Sequence, residues 1–358
     1  MTRSSSAAPI EGSASPRLHG AARFEDGFHR LRERWGRRRG LVPGVVPFTG
    51  YGSTKWVRVL CRIQLGQKDG SARRPLVGRR GWRSFTGIQV GNALVTVTAG
   101  GATREVRADR GGVVDVRVDA ALKPGWHDIQ ISVEGSAPVV APVFIVDPSV
   151  KFGLVSDIDD TVMVTALPRP FLAAWNTFVL NEHARRPVPG MAVLYERLTR
   201  THPGAPVIYL STGAWNVAPT LSRFLERNLY PQGPLLLTDW GPTHDRWFRS
   251  GREHKRTSLL RLAEEFPGLR WLLVGDDGQH DEALYGDFVQ LHPGNVAGVA
   301  IRQLSTSEAV LAGGRSKDGP EEKAGVEWHY APDGAGLSEQ LSDAGILPAT
   351  YSYRYKSQ

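Results

Sequence analysis

Asp157, Asp159 and Asp160 fall within four positions at the end of a short apolar run, Val150 to Val155. Clustered carboxylates disfavour one another's ionisation. A divalent cation relieves that repulsion, and an all-oxygen donor set suits Mg2+. The plainer alternative is an Asp-rich turn that caps the next helix. The run itself reads as a buried strand of a mostly parallel sheet, because its hydrophobicity is continuous rather than alternating. Open α/β sheets place their ligands at the carboxyl ends of such strands.

Three later stretches carry chemistry of the same kind. Val207-Ile-Tyr-Leu210 runs into the hydroxyl pair Ser211-Thr212 and then Gly213. Lys255 stands at the start of an amphipathic helical pattern, after a loop expected over Gly241 to Arg252. Arg252 and Arg256 crowd the same place, where cations oppose the helix dipole. Trp271-Leu-Leu-Val274 runs into Gly275-Asp276-Asp277-Gly278-Gln279-His280-Asp281, a second acidic loop. His244, His254 and His280 match no zinc spacing and read as surface or supporting residues.

Strand with acidic loop, strand with hydroxyls, helix with lysine, strand with acidic loop: this order resembles the four motifs of the haloacid dehalogenase-like (HAD) phosphohydrolases. More narrowly, Ser156-Asp-Ile-Asp-Asp-Thr-Val162, Tyr209-Leu-Ser-Thr-Gly-Ala-Trp215 and Val274-Gly-Asp-Asp-Gly-Gln-His-Asp281 are similar to the App1 phosphatidate phosphatase branch. The resemblance covers roughly the second half of the chain. It implies Asp157 as nucleophile and Asp159 as general acid and then base, with Asp160 and Thr161 shaping the turn. Ser211 and the Thr212 backbone would bind the phosphoryl oxygens, and Lys255 would neutralise their charge. Mg2+ would be held by Asp157, the Asp159 carbonyl, Asp276 and Asp281, with Asp277 an open alternative to Asp281. Relatives of this kind often insert a cap near Met163 to Gly190, where Phe171, Trp175, Phe178 and Leu180 could line an acyl-chain entrance. Ordinary core is the commoner fate of such aromatics.

The implied activity is Mg2+-dependent phosphomonoester hydrolysis through an aspartyl-phosphate, on phosphatidate, giving diacylglycerol and phosphate. The alternatives are a soluble phosphate ester or phosphoprotein as substrate, or a lipid- or anion-binding module without catalysis.

The 358 residues are ample for two domains, and 41% hydrophobic with 22% charged residues is ordinary globular composition. A single cysteine, Cys61, excludes a disulfide framework within the chain. No run reaches the length of a membrane span, and the first residues lack the apolar core of a signal peptide. Cytoplasmic location, peripheral at a membrane, is the resulting expectation. The net charge of +8 favours anionic partners. No nucleic-acid-binding signature accompanies it.

Residues 1–40 are expected to comprise a disordered start and a basic amphipathic helix. There Phe24, Phe28, Leu31 and Trp35 recur at helical spacing among Arg23, Arg30, Arg32, Arg34 and Arg37 to Arg39. Such a helix can lie on an anionic membrane; the alternative is that its aromatic stripe docks on the following domain. Residues 41–147 alternate with period two (Val57, Val59, Cys61, Ile63; Val114, Val116, Val118; Ile129, Ile131, Val133) and predict an antiparallel β-sandwich. A basic loop is expected over Gly66 to Arg83. Residues 148–358 alternate strand and helix and predict the HAD-like, Rossmannoid α/β domain. A loop is expected over Gly313 to Gly325 and a short helix over 337–346.

Overall fold

Period-two alternation in the N-terminal part becomes nine strands: β1 (Leu41–Pro47), β2 (Gly50–Ser53), β3 (Trp56–Gln67), β4 (Ile88–Gln89), β5 (Leu94–Ala99), β6 (Ala102–Arg107), β7 (Val113–Asp119), β8 (Gly125–Val133) and β9 (Val139–Val146). This computed structural model describes residues 31–67, 87–164, 186–238, 244–278, 280–311, 314 and 325–349. The strands make one hydrogen-bonded network in the order β1-β3-β2-β9-β8-β5-β6, with β4 and β7 also paired to β3. The expected wholly antiparallel sandwich needs correction in one respect: β2 runs parallel to β9. The long strand β3 serves β1, β2, β4 and β7 at once, so the two layers are parts of one continuous sheet.

The alternation on β3 addresses two different cores. Val57, Val59, Cys61, Ile63 and Leu65 face the interior of the β-rich half. Trp56 and Leu60, on the opposite side, join the core of the following half. Phe48 stacks on Trp215 at 4.8 Å between ring centroids, and Trp56 packs on Phe266 at 5.4 Å. The face that reads as polar in the sequence is therefore an internal interface.

In the second half the elements are β10 (Phe152–Asp157), the two-residue strands β11 (Met163–Val164) and β12 (Arg186–Pro187), α1 (Met191–Thr201), β13 (Val207–Ala214), α2 (Ala218–Arg227), β14 (Leu235–Thr238), α3 (His244–Glu265), β15 (Arg270–Asp276), α4 (Asp281–Leu291), β16 (Val296–Arg302), α5 (Thr306–Leu311), β17 (Trp328–Ala331) and α6 (Gly334–Asp343). Six strands pair in parallel in the order β14-β13-β10-β15-β16-β17. Chain order reverses at β10, the arrangement of doubly wound sheets, so the reversal crevice opens at the carboxyl end of that strand. Strand burial is nearly continuous, as parallel strands covered on both faces require.

Several boundaries move. Helix α3 begins at His244, so most of the expected Gly241 to Arg252 loop is helical and Lys255 sits in mid-helix, where the dipole argument does not apply. The last helix begins at Gly334, capped by the Asp333 carboxylate accepting from the Ala335 and Gly336 amides. Strand β17 was not anticipated.

The first 30 residues, 68–83 of the expected basic loop with the three residues after it, 165–185 of the expected cap and most of the 313–325 tail lie outside the described residues, while Gly66 and Gln67 of that loop end β3. Met163–Val164 and Arg186–Pro187 pair as β11 and β12, immediately after the acidic turn. Residues 31–38 are helical, with Leu31 66% and Trp35 51% exposed, so these two do not dock on the following sheet. Among the described residues no helix is long and apolar enough to cross a membrane.

Candidate active site

Asp157 ends β10 and is buried between β13 and β15. The next residues turn back sharply: Ile158 carbonyl oxygen accepts from the Val162 and Met163 amides. Asp160 takes a left-handed backbone, φ 57°, a conformation that aspartate tolerates better than most residues. Its amide donates to Met163 O (2.8 Å), and its carbonyl accepts from Arg302 Nη1 (2.6 Å). Asp159 thereby comes to rest beside β13, where Ser211 Oγ donates to Asp159 Oδ2 at 3.0 Å.

Asp276, at the end of β15, and Asp281, opening α4, complete the cluster. One carboxylate oxygen from each of Asp157, Asp276 and Asp281 lies within 4.8 Å of the others, and all three residues are buried. Asp277, the alternative to Asp281, lies outside this three-carboxylate group, and its Oδ1 accepts from the Leu304 amide (2.8 Å). Asp276 Oδ1 accepts from the Gly278 amide (2.6 Å), which sets the orientation of that carboxylate.

Lys255, despite its mid-helix position, reaches the same place. Its Nζ lies 2.6 Å from Asp157 Oδ1 and donates to Asp281 Oδ1 at 2.8 Å. Burial pushes the Lys255 pKa down, but Asp157 and Asp281 outweigh it and hold the ammonium charged. Burial raises Asp157 well above the usual carboxylate range; Lys255 opposes, while Asp281 and Asp159 add to the rise. Asp276 is raised by burial, then by Asp281 and Asp157. Two of the three buried carboxylates thus contact one half-buried ammonium, and a hard divalent cation fits both the donor set and the remaining charge deficit.

Of the residues read from sequence, Asp157, Asp276, Asp281 and Lys255 converge, and Asp159 with Ser211 adjoins them. Thr212 stands beside them, its carbonyl accepting from Thr238 Oγ1 (2.9 Å). His254 is largely buried, which lowers its pKa; His280 is exposed.

Sequence reasoning missed Arg302 and Gly275. Arg302 ends the apolar strand β16 opposite Asp276 and pins the Asp160 turn; a buried arginine after such a run was the available signal. At Gly275 a Cβ would stand 2.7 Å from Asp281 Oδ2 and 2.8 Å from Tyr285 Cε2. Gly275→Ala must therefore push Asp281 outward, and overpacking of this kind costs about 1–3 kcal/mol. The expected result is divalent-cation binding weakened about tenfold or more, read by titration calorimetry; unchanged affinity would show that Asp281 is not a ligand.

Residues 152–303 match the family model described as the phosphatidate phosphatase APP1 catalytic domain. Over 207 residues the chain is 26% identical to phosphatidate phosphatase APP1 of Saccharomyces cerevisiae, covering 56% of this chain and 34% of that protein. Over 152 residues it is 25% identical to an uncharacterized protein of Schizosaccharomyces pombe, covering 42% of this chain and 25% of that one. The chain thus spans about a third or less of the length of these relatives. Among solved structures, a carbohydrate acetylesterase from Xanthomonas citri aligns over 76% of this chain and 73% of its own at 12% identity, but a TM-score of 0.28 carries no weight for the fold. The family match spans β10, β13, β15, α3 and α4, the elements that bring Asp157, Ser211, Lys255, Asp276 and Asp281 together. The similarity to the APP1 catalytic domain thus falls on the part of the chain, residues 152–303, that builds this site.

Proposed function

We propose that this protein is a HAD-like, Mg2+-dependent phosphomonoesterase working through an aspartyl-phosphate on Asp157, with phosphatidate as substrate. The observation that carries this reading is Lys255 set between Asp157 and Asp281, beside Asp276, at the strand-order reversal. The names of the family and of the S. cerevisiae relative supply the substrate class. In this reading the chain divides near Asp147 into a β-rich domain, 41–147, and a catalytic domain, 148–358.

An Asp157 oxygen attacks phosphorus as the ester P–O bond breaks, and Asp159 gives its proton to the departing diacylglycerol oxygen. Water then cleaves the acyl-phosphate, losing its proton to Asp159. Ser211 holds Asp159 in the free protein, and its hydroxyl turns to a phosphoryl oxygen when substrate arrives. The Thr212 backbone is the neighbouring phosphoryl contact. Lys255 orients Asp157 and offsets charge on the phosphoryl group. Mg2+, held by Asp157, Asp276 and Asp281 with the Asp159 carbonyl, would neutralise phosphoryl charge and template the substrate.

Phosphate release from phosphatidate in mixed micelles, and from a generic aryl phosphate, tests this reading with Mg2+ or EDTA present. Mg2+-dependent release from phosphatidate is expected. Release only from the aryl phosphate would redirect the search to soluble esters, and release from neither would sink the reading.

A lipid substrate also needs approach to a surface. The helix at 31–38 exposes Leu31 and Trp35, four residues apart, among exposed Arg32, Arg34, Arg37 and Arg38, with the Arg39 guanidinium 3.4 Å above the Trp35 ring. This combination suits peripheral contact with an anionic bilayer from the cytoplasmic side. Co-sedimentation with vesicles containing anionic lipid is expected for the wild type and weakened in Leu31→Glu/Trp35→Glu; equal sedimentation of both would refute the contact.

A further inference from the structure

Helix α3 carries more than Lys255. Near its start Gly251 lies against β13, where a Cβ would stand 2.9 Å from Thr212 Cγ2. Leu259 and Leu262 are buried in the core of the α/β half. Beyond Lys255, Arg261 and Glu265 turn to the β-rich half. Arg261 Nη1 donates to Asp115 Oδ2 (2.8 Å), and Asp115 Oδ1 accepts from Arg58 Nη1 (2.6 Å). Arg58 Nε donates to Glu265 Oε1 (3.0 Å), and Tyr51 OH donates to Glu265 Oε2 (2.8 Å). Two cations and two carboxylates therefore form a circuit of three contacts that only the helix backbone closes, with two members on the helix and two on β3 and β7. Their side chains are only 7 to 29% exposed.

Arg261 and Glu265 are four residues apart and share one face, turned by about a third of a turn from Lys255. A helix is stiff along such a length, with a rise of about 1.5 Å per residue. A slide or roll at the Arg261–Glu265 end thus moves the Lys255 ammonium by a comparable amount. Its two contacts, at 2.6 and 2.8 Å, leave little tolerance for that. Apolar packing of Leu259 and Leu262 is non-directional and resists sliding weakly. Charge-assisted, forked bonds are directional and fix both the axial and the rotational setting. A purely apolar seam of similar volume would hold the two halves together as well or better. What the ion circuit adds is register.

We propose that Arg58 and Asp115 of the β-rich half are positioning residues for the reaction: through Arg261 and Glu265 they set the register of α3 and so place Lys255 between Asp157 and Asp281. The β-rich half then has a defined catalytic task, although none of its residues touches the reacting atoms. This inference rests on the catalytic reading of Lys255 given above.

The test uses the full chain and compares Arg58→Met and Asp115→Asn with Val97→Ala, a core variant of the β-rich half on β5, which pairs with neither β3 nor β7. One readout is the reaction of Lys255 with acetic anhydride, followed by peptide mass spectrometry. It needs no activity, so it separates failure of this proposal from failure of the phosphatase reading. Acetylation of Lys255 is expected to rise at least about threefold in both circuit variants and not in Val97→Ala. The second readout is kinetic: kcat falls about tenfold with KM little changed, Arg58→Lys recovers part of the loss, and Val97→Ala keeps the wild-type kcat. If Arg58→Met does not fold, the near-isosteric Asp115→Asn decides. Unchanged Lys255 acetylation in a folded circuit variant, or an equal effect of Val97→Ala, overturns the proposal.

Discussion

Replacing Asp157 by Asn is expected to lower phosphate release from phosphatidate by a factor of about 10^4 or more, as when other covalent nucleophiles are removed. The amide is nearly isosteric, so the turn through Asp160 and the partners in β13 and β15 stay in place. What disappears is the oxygen proposed as nucleophile and one of the two carboxylates in contact with Lys255. Acid quenching of the wild type during turnover is expected to leave a phosphoryl group on the peptide that contains Asp157, and none in the variant. A variant that keeps its rate within about tenfold of wild type would show that Asp157 is not the attacking group.

Lys255→Met acts on stability and rate together. Removing one member of a buried ion pair leaves the other charged and uncompensated, at a cost of about 3–5 kcal/mol. Here two buried carboxylates lose the cation they both contact. A fall in Tm of more than about 5 °C is expected by calorimetry, with kcat lower by a factor of about 10^2 to 10^3. Mg2+ is expected to raise Tm more in the variant than in the wild type, because ligand binding stabilises in proportion to occupancy of the folded state and the variant's carboxylates have no other counter-charge. An equal Mg2+ effect in both proteins, with kcat retained, would remove Lys255 from the site. Lys255→Arg is a poor rescue, since the planar fork does not fit where a compact ammonium sits between two carboxylates.

Strand ends were the most legible feature. β10 and β15 are buried runs that end at Asp157 and Asp276, at the carboxyl edge of the parallel sheet, whereas β13, expected to end at Ser211, continues to Ala214. This legibility has a local cause: a strand covered on both faces must be apolar throughout, and the residue that first leaves it can be polar. The β-rich half was legible in phase only. Period two marks Val57 and Val59 as one face and Trp56 and Leu60 as the other, but nothing in the alternation says that the second face meets Phe266 and the α/β core.

Helix α3 was foreshortened for a related reason. Its first turns are charged, lack a repeating apolar stripe and include Gly251, so they read as loop. They are helical where the chain closes on Thr212, a contact for which a side chain at 251 would be too large. Asp277 and Asp281 offered the same carboxylate four positions apart, and the Leu304 amide, far along the chain, claims the first.

By itself, then, the sequence determined which residues could do chemistry and that Asp157 and Asp276 stand at strand ends, because burial of a strand is written in its own side chains. Only the tertiary structure decided which carboxylates converge, that Lys255 reaches them from mid-helix, and that Arg58 and Tyr51 grip Glu265 across 207 and 214 positions. Such partners are set by how sheets and helices pack, and packing leaves no periodic mark on either partner's neighbours.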